Sequence, residues 1–300
     1  MGNARTTLTT SQIVEVLHQY GLAQAFTAVR MAEGFTNASY RVDTESRSYI
    51  LTVMDNHDWG SALELAQTMN HLEACGLAGP KIVETAERAE VVRWQDKTIM
   101  VKTFCEGAHP DPLDPDQLRL VGQAMAQAQA DVTQTTYTQS RRIPSDWRLQ
   151  LTGCDDDEFL RWVQDSYGLI GQYEQLPRSV IHGDLFPDNI LIDPQGVPLL
   201  IDWETISFDL DTFDLAMMIV GFTVWGMVDA APLIEGFQRV RTLQAEEYDA
   251  LGDLCTYSAA VLAFVRYRKN NVKYKGSGNA SHYREMFDSW QDGAFLRVLP

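Results

Sequence analysis

Residues 180–204 read VIHGDLFPDNILIDPQGVPLLIDWE and alternate short apolar runs with polar loops. The two apolar runs within residues 190–201 predict the strands of a hairpin, because the Asp-Pro-Gln-Gly segment that separates them is rich in turn-forming residues. Polar side chains stand where the apolar runs end. Asp184 and Asn189 lie in the loop before the hairpin, and Asp202 ends its last strand.

The spacing of these three residues matches what phosphoryl transfer requires. It resembles the catalytic loop of kinases and the metal-binding Asp on a later strand. A carboxylate such as Asp184 can orient an attacking hydroxyl group and accept its proton, while the oxygens of Asn189 and Asp202 are hard ligands suited to Mg²⁺. The alternative is a surface hairpin with solvated acids, since Asp and Asn are common in turns. The joint pattern is much more specific than a lone Asp and Asn at this spacing.

The sequence HGDLFPDNILI, followed by LIDWE, resembles the aminoglycoside phosphotransferase and choline kinase superfamily, which contains small-molecule relatives of the protein kinases. In that family Gly replaces the loop Arg of protein kinases, as Gly183 does here, and DLFPDN is most similar to bacterial homoserine kinases. The resemblance covers nearly the whole chain, with its specific motifs in residues 30–55 and 180–216. It also implies that Asp214 braces the catalytic loop through backbone amides.

The family resemblance implies a fold as well. We expect an α+β, bilobal, protein-kinase-like fold, with a small antiparallel-sheet lobe in residues 1–104 and a mainly helical lobe in residues 105–300. The apolar patterns predict three antiparallel strands in residues 27–55 and two more in residues 91–103. ATP with Mg²⁺ is expected to bind between the lobes.

Residues 33–39, EGFTNAS, separate the first two predicted strands. Small and hydroxylated residues there allow backbone amides to approach a triphosphate closely. A plain hairpin turn is the alternative, because the segment contains a single Gly. The residues after the fifth predicted strand resemble the kinase hinge, where adenine would accept backbone hydrogen bonds. The expected nucleotide contacts are Gly34, Thr36, Asn37, Ser39, Phe104 and Glu106.

The third predicted strand lacks the lysine with which kinases contact the α and β phosphates. Thr52 stands at that position, as in homoserine kinases of the superfamily, which this chain resembles. His57, shortly after the strand, is a candidate phosphate contact, with a solvated loop histidine as the alternative. Glu64 is the nearest match to the Glu that pairs with the kinase lysine, with an exposed Glu as the alternative. The group that neutralises the α phosphate therefore stays open.

Candidate substrate ligands occur after Asp202 and again in the C-terminal third. Glu204 and Asp209 can bind a substrate amine, with a structural role as the alternative. Arg266 and Arg268 lie in the one basic cluster and can hold a carboxylate, with an exposed helix end as the alternative. The favoured acceptor is homoserine or a related small amino alcohol. Aminoglycosides, choline, ethanolamine and sugars stay open, as does a nucleotide-binding pseudokinase module.

Composition excludes several other classes of protein. Residues 105–300 carry 15 Lys and Arg against 29 Asp and Glu, a net charge of −14, and nucleic-acid binding is not expected because phosphate backbones require basic surfaces. The longest apolar run, residues 215–228, is too short to cross a bilayer and predicts a buried helix. Four scattered cysteines and a polar start without a signal peptide favour the cytoplasm. The expected assembly is a monomer or homodimer without membrane attachment.

Overall fold

The computed structural model describes residues 6–22, 26–31, 37–55, 57–132, 142–273 and 279–300. These residues divide into two compact units, one within residues 6–107 and the other within residues 108–300. The first unit contains an antiparallel sheet and helices, and the second is mainly helical with two small sheets. The α+β class expected from the sequence is therefore confirmed.

The first unit is built around one sheet. Its strands are β1 (Phe26–Arg30), β2 (Ala38–Thr44), β3 (Ser48–Val53), β4 (Val91–Trp94) and β5 (Lys97–Thr103), and its helices are α1 (Thr10–Gln19) and α2 (Trp59–Ala74). All strand pairs are antiparallel, in the spatial order β1-β2-β3-β5-β4. Helix α1 begins at a reciprocal capping box of Thr9 and Gln12. It stops where Gly21 adopts a positive φ of 67°.

Alternate residues of a strand point to opposite faces of the sheet, and α1 covers one of these faces. Tyr40, Leu51 and Val101 are paired across β2, β3 and β5. They are buried in the same apolar cluster as Val16 and Leu17 of α1. Each large apolar side chain buried in this way contributes about 1.5–3 kcal/mol, so the core of the first unit lies on this face.

The opposite face of the sheet carries polar and charged residues at its centre. Ser39 of β2 pairs with Thr52 of β3, and Lys102 of β5 pairs with Ile50, two residues before Thr52. Paired residues of antiparallel strands point to the same face. Thr52 and Lys102 therefore share one face on neighbouring strands.

The second unit contains eight helices and two two-stranded sheets among the residues described. Its helices are α3 (Pro115–Asp131), α4 (Trp147–Gln150), α5 (Asp157–Leu169), α6 (Asp211–Val224), α7 (Ala231–Gln238), α8 (Ala245–Tyr267), α9 (Arg284–Gln291) and α10 (Ala294–Arg297). Its strands are β6 (Arg178–Ile181), β7 (Ile190–Ile192), β8 (Pro198–Leu200) and β9 (Ser207–Leu210). Strand β6 pairs with β9, and β7 pairs with β8.

Helix α6 lies at the centre of the second unit. Its residues from Asp211 to Phe222 are all buried, which agrees with the buried helix predicted from the apolar run at residues 215–228. In the described part of the chain, no helix combines the length and the apolar character needed to cross a membrane.

Two glycines allow α3 and α7 to cross at very short range. A Cβ atom at Gly122 would lie 2.1 Å from the carbonyl oxygen of Leu233, and one at Gly236 would lie 2.0 Å from that of Arg119. Both distances are far below van der Waals contact, so a larger residue at either position would separate the helices. The two backbones touch directly because neither glycine has a side chain.

The predicted hairpin is present as β7 and β8. Asp193 Oδ1 accepts hydrogen bonds from the backbone N–H groups of Gln195 at 2.9 Å and Val197 at 2.8 Å, and Gly196 closes the turn with a φ of 83°. Strand β9 was not predicted. Its four residues pair with β6 through the backbone, and so short a segment carries no distinctive apolar pattern.

Candidate active site

Asp214 fixes the start of the catalytic loop, residues 182–189. Its Oδ2 accepts a hydrogen bond from the His182 backbone N–H at 2.7 Å, and its Oδ1 accepts one from Gly183 at 2.9 Å. Gln129 Nε2 lies 3.5 Å from Oδ2. Burial raises the pKa of Asp214 to about 6, and these hydrogen bonds oppose the rise because they favour the ionised carboxylate. The loop therefore has the brace that the family resemblance implied.

His182 connects the loop to the residues on both sides of Asp202. Its Nε2 lies 2.9 Å from the carbonyl oxygen of Ile201, which can only accept, so Nε2 carries the proton in this bond. The imidazole ring lies 4.6 Å from the ring of Trp203. The carbonyl oxygen of His182 accepts a hydrogen bond from the Thr205 hydroxyl at 3.0 Å. These contacts hold the loop of residues 182–189 against the residues that precede and follow Asp202.

Asp184 and Asn189 lie in one turn. The carbonyl oxygen of Asp184 accepts hydrogen bonds from Asn189 Nδ2 at 2.7 Å and from the Phe186 backbone N–H at 2.9 Å. The carbonyl oxygen of Asn189 accepts one from the Ile201 N–H at 3.0 Å. Because Asn189 donates through Nδ2, its Oδ1 is the amide atom suited to ligate a cation. The structure brings the expected base and one expected metal ligand together.

Asp202 has a backbone conformation that is uncommon for residues other than glycine. Its φ of 63° and ψ of 51° are left-handed. Such a residue costs of order 1–3 kcal/mol and persists where its surroundings fix it. Here Ile201 is hydrogen-bonded on one side, and the 3₁₀ turn Trp203–Thr205 follows on the other. Asp202 itself is exposed, so an otherwise costly geometry presents a carboxylate at a strand end.

The metal expected from the sequence fits the donor set of this loop. Among the described residues, no three His, Cys, Asp or Glu side chains are arranged to hold a metal ion by themselves. Mg²⁺ is usually bound by one or two carboxylates together with substrate phosphates rather than by a complete protein cage. Asn189 and Asp202 offer the amide and carboxylate oxygens for such a partial set.

Sequence reasoning did not single out Asp188, which precedes Asn189. The pKa of Asp188 is raised, chiefly because its carboxyl group is partly desolvated although the residue as a whole is exposed. The negative charges of Asp184 and Asp202 raise it further. Since both charges act on one carboxyl group, Asp184, Asp188 and Asp202 form one acidic cluster. The second Asp of the DLFPDN motif was the available signal.

The expected nucleotide contacts are distributed along the first unit. Gly34 and Thr36 lie outside the described residues. Asn37 is buried at the start of β2, and Ser39 Oγ lies 3.4 Å from Thr52 Oγ1.

The hinge residues follow β5. The backbone N–H of Phe104 donates to Ser48 O at 3.0 Å, and the Arg41 guanidinium lies 4.2 Å from the Phe104 ring centroid. Glu106 is exposed. These contacts fix the backbone of Phe104 directly after the strand.

The two acidic substrate candidates have different surroundings. Glu204 is half-buried in the 3₁₀ turn directly after Asp202. Asp209 is only 4% exposed, and its carboxylate accepts hydrogen bonds from two nitrogens of Arg142, one of them Nε at 2.7 Å. This ion pair was missed from the sequence. It occupies the Asp209 carboxylate and ties the segment before α4 to β9.

The two basic substrate candidates also differ. Arg266 lies 5.7 Å from the ring centroid of Phe186 in the catalytic loop, and its Nη1 donates to Glu285 at 2.5 Å. Arg268 is exposed and lies over Phe264 of its own helix, 5.6 Å from the ring centroid. Of the two, the described contacts place Arg266 beside the catalytic loop.

Comparison with known proteins gives the family. The profile of the phosphotransferase enzyme family, APH, matches residues 27–254. The chain belongs to this family. This phosphotransferase is similar to a homoserine kinase of Methylobacillus flagellatus, with 23% identity over 93% of this chain and 91% of the relative. It is also similar to a homoserine kinase of Chelativorans sp., with 27% identity over 85% of this chain and 84% of the relative.

Solved structures show the same fold. The amicoumacin kinase hAmiN, solved in complex with AMP-PNP, Ca²⁺ and Ami, superposes with a TM-score of 0.76 at 14% identity, covering 95% of this chain and 94% of its own. A choline/ethanolamine kinase family protein from Mesorhizobium loti gives a TM-score of 0.63 at 16% identity, covering 97% and 94%. The kinase-like fold and the superfamily resemblance are confirmed. The chain is a phosphotransferase that acts on a hydroxyl acceptor.

One feature sets this phosphotransferase apart from the general kinase pattern. Its third strand carries Thr52, which is fully buried, where kinases carry a lysine. Lys102 lies on the adjacent strand and the same face, and it is 8% exposed. The motif could not reveal Lys102, because the motif describes positions along β3 and Lys102 belongs to β5.

Proposed function

We propose that this phosphotransferase transfers the γ-phosphate of ATP to the hydroxyl group of a small molecule, with Asp184 as the base. The observation that carries this proposal is the hydrogen-bond network in which Asp214 and Asn189 hold the loop around Asp184. Catalysis of phosphoryl transfer depends mainly on positioning and electrostatics. A carboxylate held in this way can orient the acceptor hydroxyl group and take its proton.

For the divalent metal we propose Mg²⁺, with Asn189 Oδ1 and the Asp202 carboxylate as the protein ligands. The bound ion would offset the charge of the phosphates. The negative charge of the neighbouring Asp184 and Asp188 supports this proposal, because a cluster of acids attracts a divalent cation. The kinase hAmiN, a protein of the same fold, was solved in complex with a nucleotide analogue and Ca²⁺.

For the nucleotide we propose contacts from the first unit, in the segment before and within β2 and in the hinge after β5. Small and hydroxylated side chains in the first segment suit a triphosphate, and backbone groups of the second would hydrogen-bond adenine. The proposed contacts are Gly34, Thr36, Asn37, Ser39, Phe104 and Glu106.

For the acceptor we propose homoserine or a closely related amino alcohol. Both relatives described above are named homoserine kinase, and the alignments cover most of each chain. A zwitterion needs an acid and a cation, because a buried charge without a partner is costly. Glu204 and Arg266 supply this pair in the proposal, with the guanidinium of Arg266 shared between the substrate carboxylate and Glu285. Asp209 is set aside because Arg142 already occupies its carboxylate.

An acceptor screen tests the reaction. Purified protein would be supplied with Mg-ATP and, in turn, homoserine, ethanolamine, choline, an aminoglycoside and a hexose, while ADP formation and the phosphorylated product are measured. We expect homoserine to give the highest kcat/KM. A higher kcat/KM for any other acceptor of this panel would reject homoserine as the substrate but would still support the proposal of a kinase. Nucleotide binding without transfer to any acceptor would favour a pseudokinase module.

A pair of arginine variants tests the acceptor independently of the screen. Arg266→Ala should raise the KM for homoserine about 10- to 100-fold, since a lost charge-assisted hydrogen bond costs about 1.5–3 kcal/mol. The KM for ATP should change much less. Arg268→Ala is the matched control and should behave like the wild type. Normal KM values for homoserine in both variants would reject the carboxylate contact.

A further inference from the structure

Lys102 is a buried cation for which the described residues supply no counter-charge. Only 8% of the residue is exposed. Lys97, at the other end of β5, forms an ion pair with Asp55 at 3.2 Å. Neither an ion pair nor a hydrogen bond from any described residue holds the ammonium group of Lys102. The ammonium group of Lys102 therefore has no anion among the described side chains and is available to a ligand.

Two titratable neighbours of Lys102, His57 and Cys105, supply no negative charge to it. Burial, together with the positive charge of Lys102, lowers the pKa of His57 to about 4, although the negative charge of Asp58 opposes this shift. His57 is therefore uncharged at neutral pH. Burial raises the pKa of the Cys105 thiol, although Lys102 opposes this rise. Neither side chain offers an anion, so any counter-charge for Lys102 would have to come from outside these two side chains.

The position of Lys102 relative to Thr52 indicates which ligand it would bind. Lys102 pairs with Ile50, and Thr52 follows two residues later on the same strand and face. Diagonal neighbours of this kind lie about 7–8 Å apart, within reach of a long side chain. Lysine has a flexible four-carbon stem that ends in a compact charge. An ammonium group anchored on β5 can therefore serve the region that a lysine at position 52 would serve.

We propose that Lys102 replaces the missing third-strand lysine and binds the α and β phosphates of the nucleotide. This inference rests on the proposed function, because it requires a nucleotide ligand. It assigns the phosphate contact to a residue outside the kinase motif and gives Thr52 a different part. The Thr52 hydroxyl lies 3.4 Å from Ser39 Oγ and so connects β3 to β2 on this face.

Binding measurements test this assignment without relying on turnover. Isothermal titration of wild-type protein, Lys102→Met and Lys97→Met would give the Kd for ATP, ADP and adenosine. Lys102→Met should weaken ATP and ADP binding about 10- to 100-fold, with adenosine within about twofold of wild type. Lys97→Met, the control on the same strand, should leave all three unchanged. The double variant Thr52→Lys/Lys102→Met should recover most of the affinity for ATP.

Thermal unfolding separates a ligand-binding role from a structural one. Without nucleotide, Lys102→Met should unfold at nearly the same temperature as the wild type or at a higher one, because methionine keeps an unbranched apolar stem at this position and no ion pair of the described residues is lost. ATP should stabilise this variant less than the wild type. A lower melting temperature together with parallel loss of adenosine and ATP binding would show that Lys102 is structural and would overturn the assignment. Unchanged ATP affinity in Lys102→Met would overturn it too.

The same titrations distinguish failure of this assignment from failure of the proposed function. If the wild type binds ATP and Lys102→Met binds it equally well, only the role of Lys102 is rejected. If the wild type binds neither ATP nor ADP, the proposed kinase activity and the role of Lys102 are both rejected.

Discussion

The hairpin segment of the second unit, residues 182–205, and the polar sheet face of the first unit are built in opposite ways. In this segment, Asp184 and Asn189 share the turn before the hairpin, and Asp202 follows strand β8 at the start of a 3₁₀ turn. On the sheet face, Thr52 and Lys102 are far apart in sequence and meet because β3 pairs with β5. A motif therefore identifies the chemistry of the hairpin, whereas strand pairing alone reveals the charge on the sheet.

The largest expected effect would come from changing Asp184 inside its rigid loop. Asp184→Asn should lower kcat by as much as about 10⁴-fold, because a positioned base contributes about 10²–10⁴-fold. Its Kd for ATP should stay near that of the wild type, because the Asp184 backbone oxygen still accepts the hydrogen bonds that hold the turn. Asp165→Asn, an exposed change on α5, is the control. Near-normal turnover in a folded variant would exclude Asp184 as the base. The motif would then not identify the chemistry of the hairpin segment.

The next effect concerns the strained end of the hairpin. Asp202→Gly should lower kcat about a thousandfold, since a metal's charge stabilisation is worth several kcal/mol. The same change should hold or raise the melting temperature, because glycine adopts the left-handed conformation without cost. Gln95→Gly is the matched control, as Gln95 also has a positive φ, of 55°, in the exposed turn between β4 and β5. Unchanged dependence of turnover on Mg²⁺ would contradict the assignment of Asp202.

A smaller effect would come from the helix beneath the loop. A Cβ atom at Gly221 would lie 2.4 Å from Pro187 Cδ and 2.7 Å from Phe186 Cδ2. Gly221→Ala should therefore cost about 1–3 kcal/mol of stability and reduce kcat by about tenfold, because 1 Å misplacement of reacting groups is costly. Gly168→Ala on α5 meets nothing within 4 Å and should be neutral or stabilising. Equal kinetics in the two variants would show that the hairpin tolerates displacement.

The smallest effect concerns the pH dependence of stability. The pKa of Asp214 is raised to about 6 from a usual value of 3.8, so its contribution to stability is fully present below about pH 4 and is lost as the pH rises through about 6. Asp214→Asn should remove this contribution. Wild-type stability should fall relative to the variant between these pH values, as measured by denaturant unfolding at a series of pH values. A parallel course of the two curves would mean that Asp214 titrates normally.

Much of the fold could be predicted because its signals are local. The start of α3 shows such a signal: Asp114 precedes Pro115, and its Oδ1 accepts hydrogen bonds from the N–H groups of Asp116 at 2.9 Å and Gln117 at 3.2 Å. The Asp193 turn and the five-stranded sheet follow similar short-range rules. Strand β9 escaped prediction because its pairing with β6 comes from tertiary structure and not from its own apolar pattern.

The candidate site divides along the same line. Asp184, Asn189 and Asp202 were predictable from spacing, since one short segment supplies all three. The Arg142–Asp209 ion pair and the place of Lys102 were not, because each depends on a residue that is remote in sequence. No local pattern distinguishes a buried lysine without a counter-charge from an exposed lysine at a strand end.

The close crossing of α3 and α7 has a consequence for the order in which the chain matures. During synthesis the five strands of the first unit emerge before α3, and they contain all of their own pairing partners. Helix α3 then lacks its partner while the hairpin segment and α6 are synthesised. Only when α7 is made can Gly236 contact the backbone at Arg119. At about 5–20 residues per second, this delay lasts several seconds. For that time the nascent chain carries the complete loop around Asp184 beside an unfinished helical core, and it would be exposed to the chaperones and proteases that recognise such surfaces.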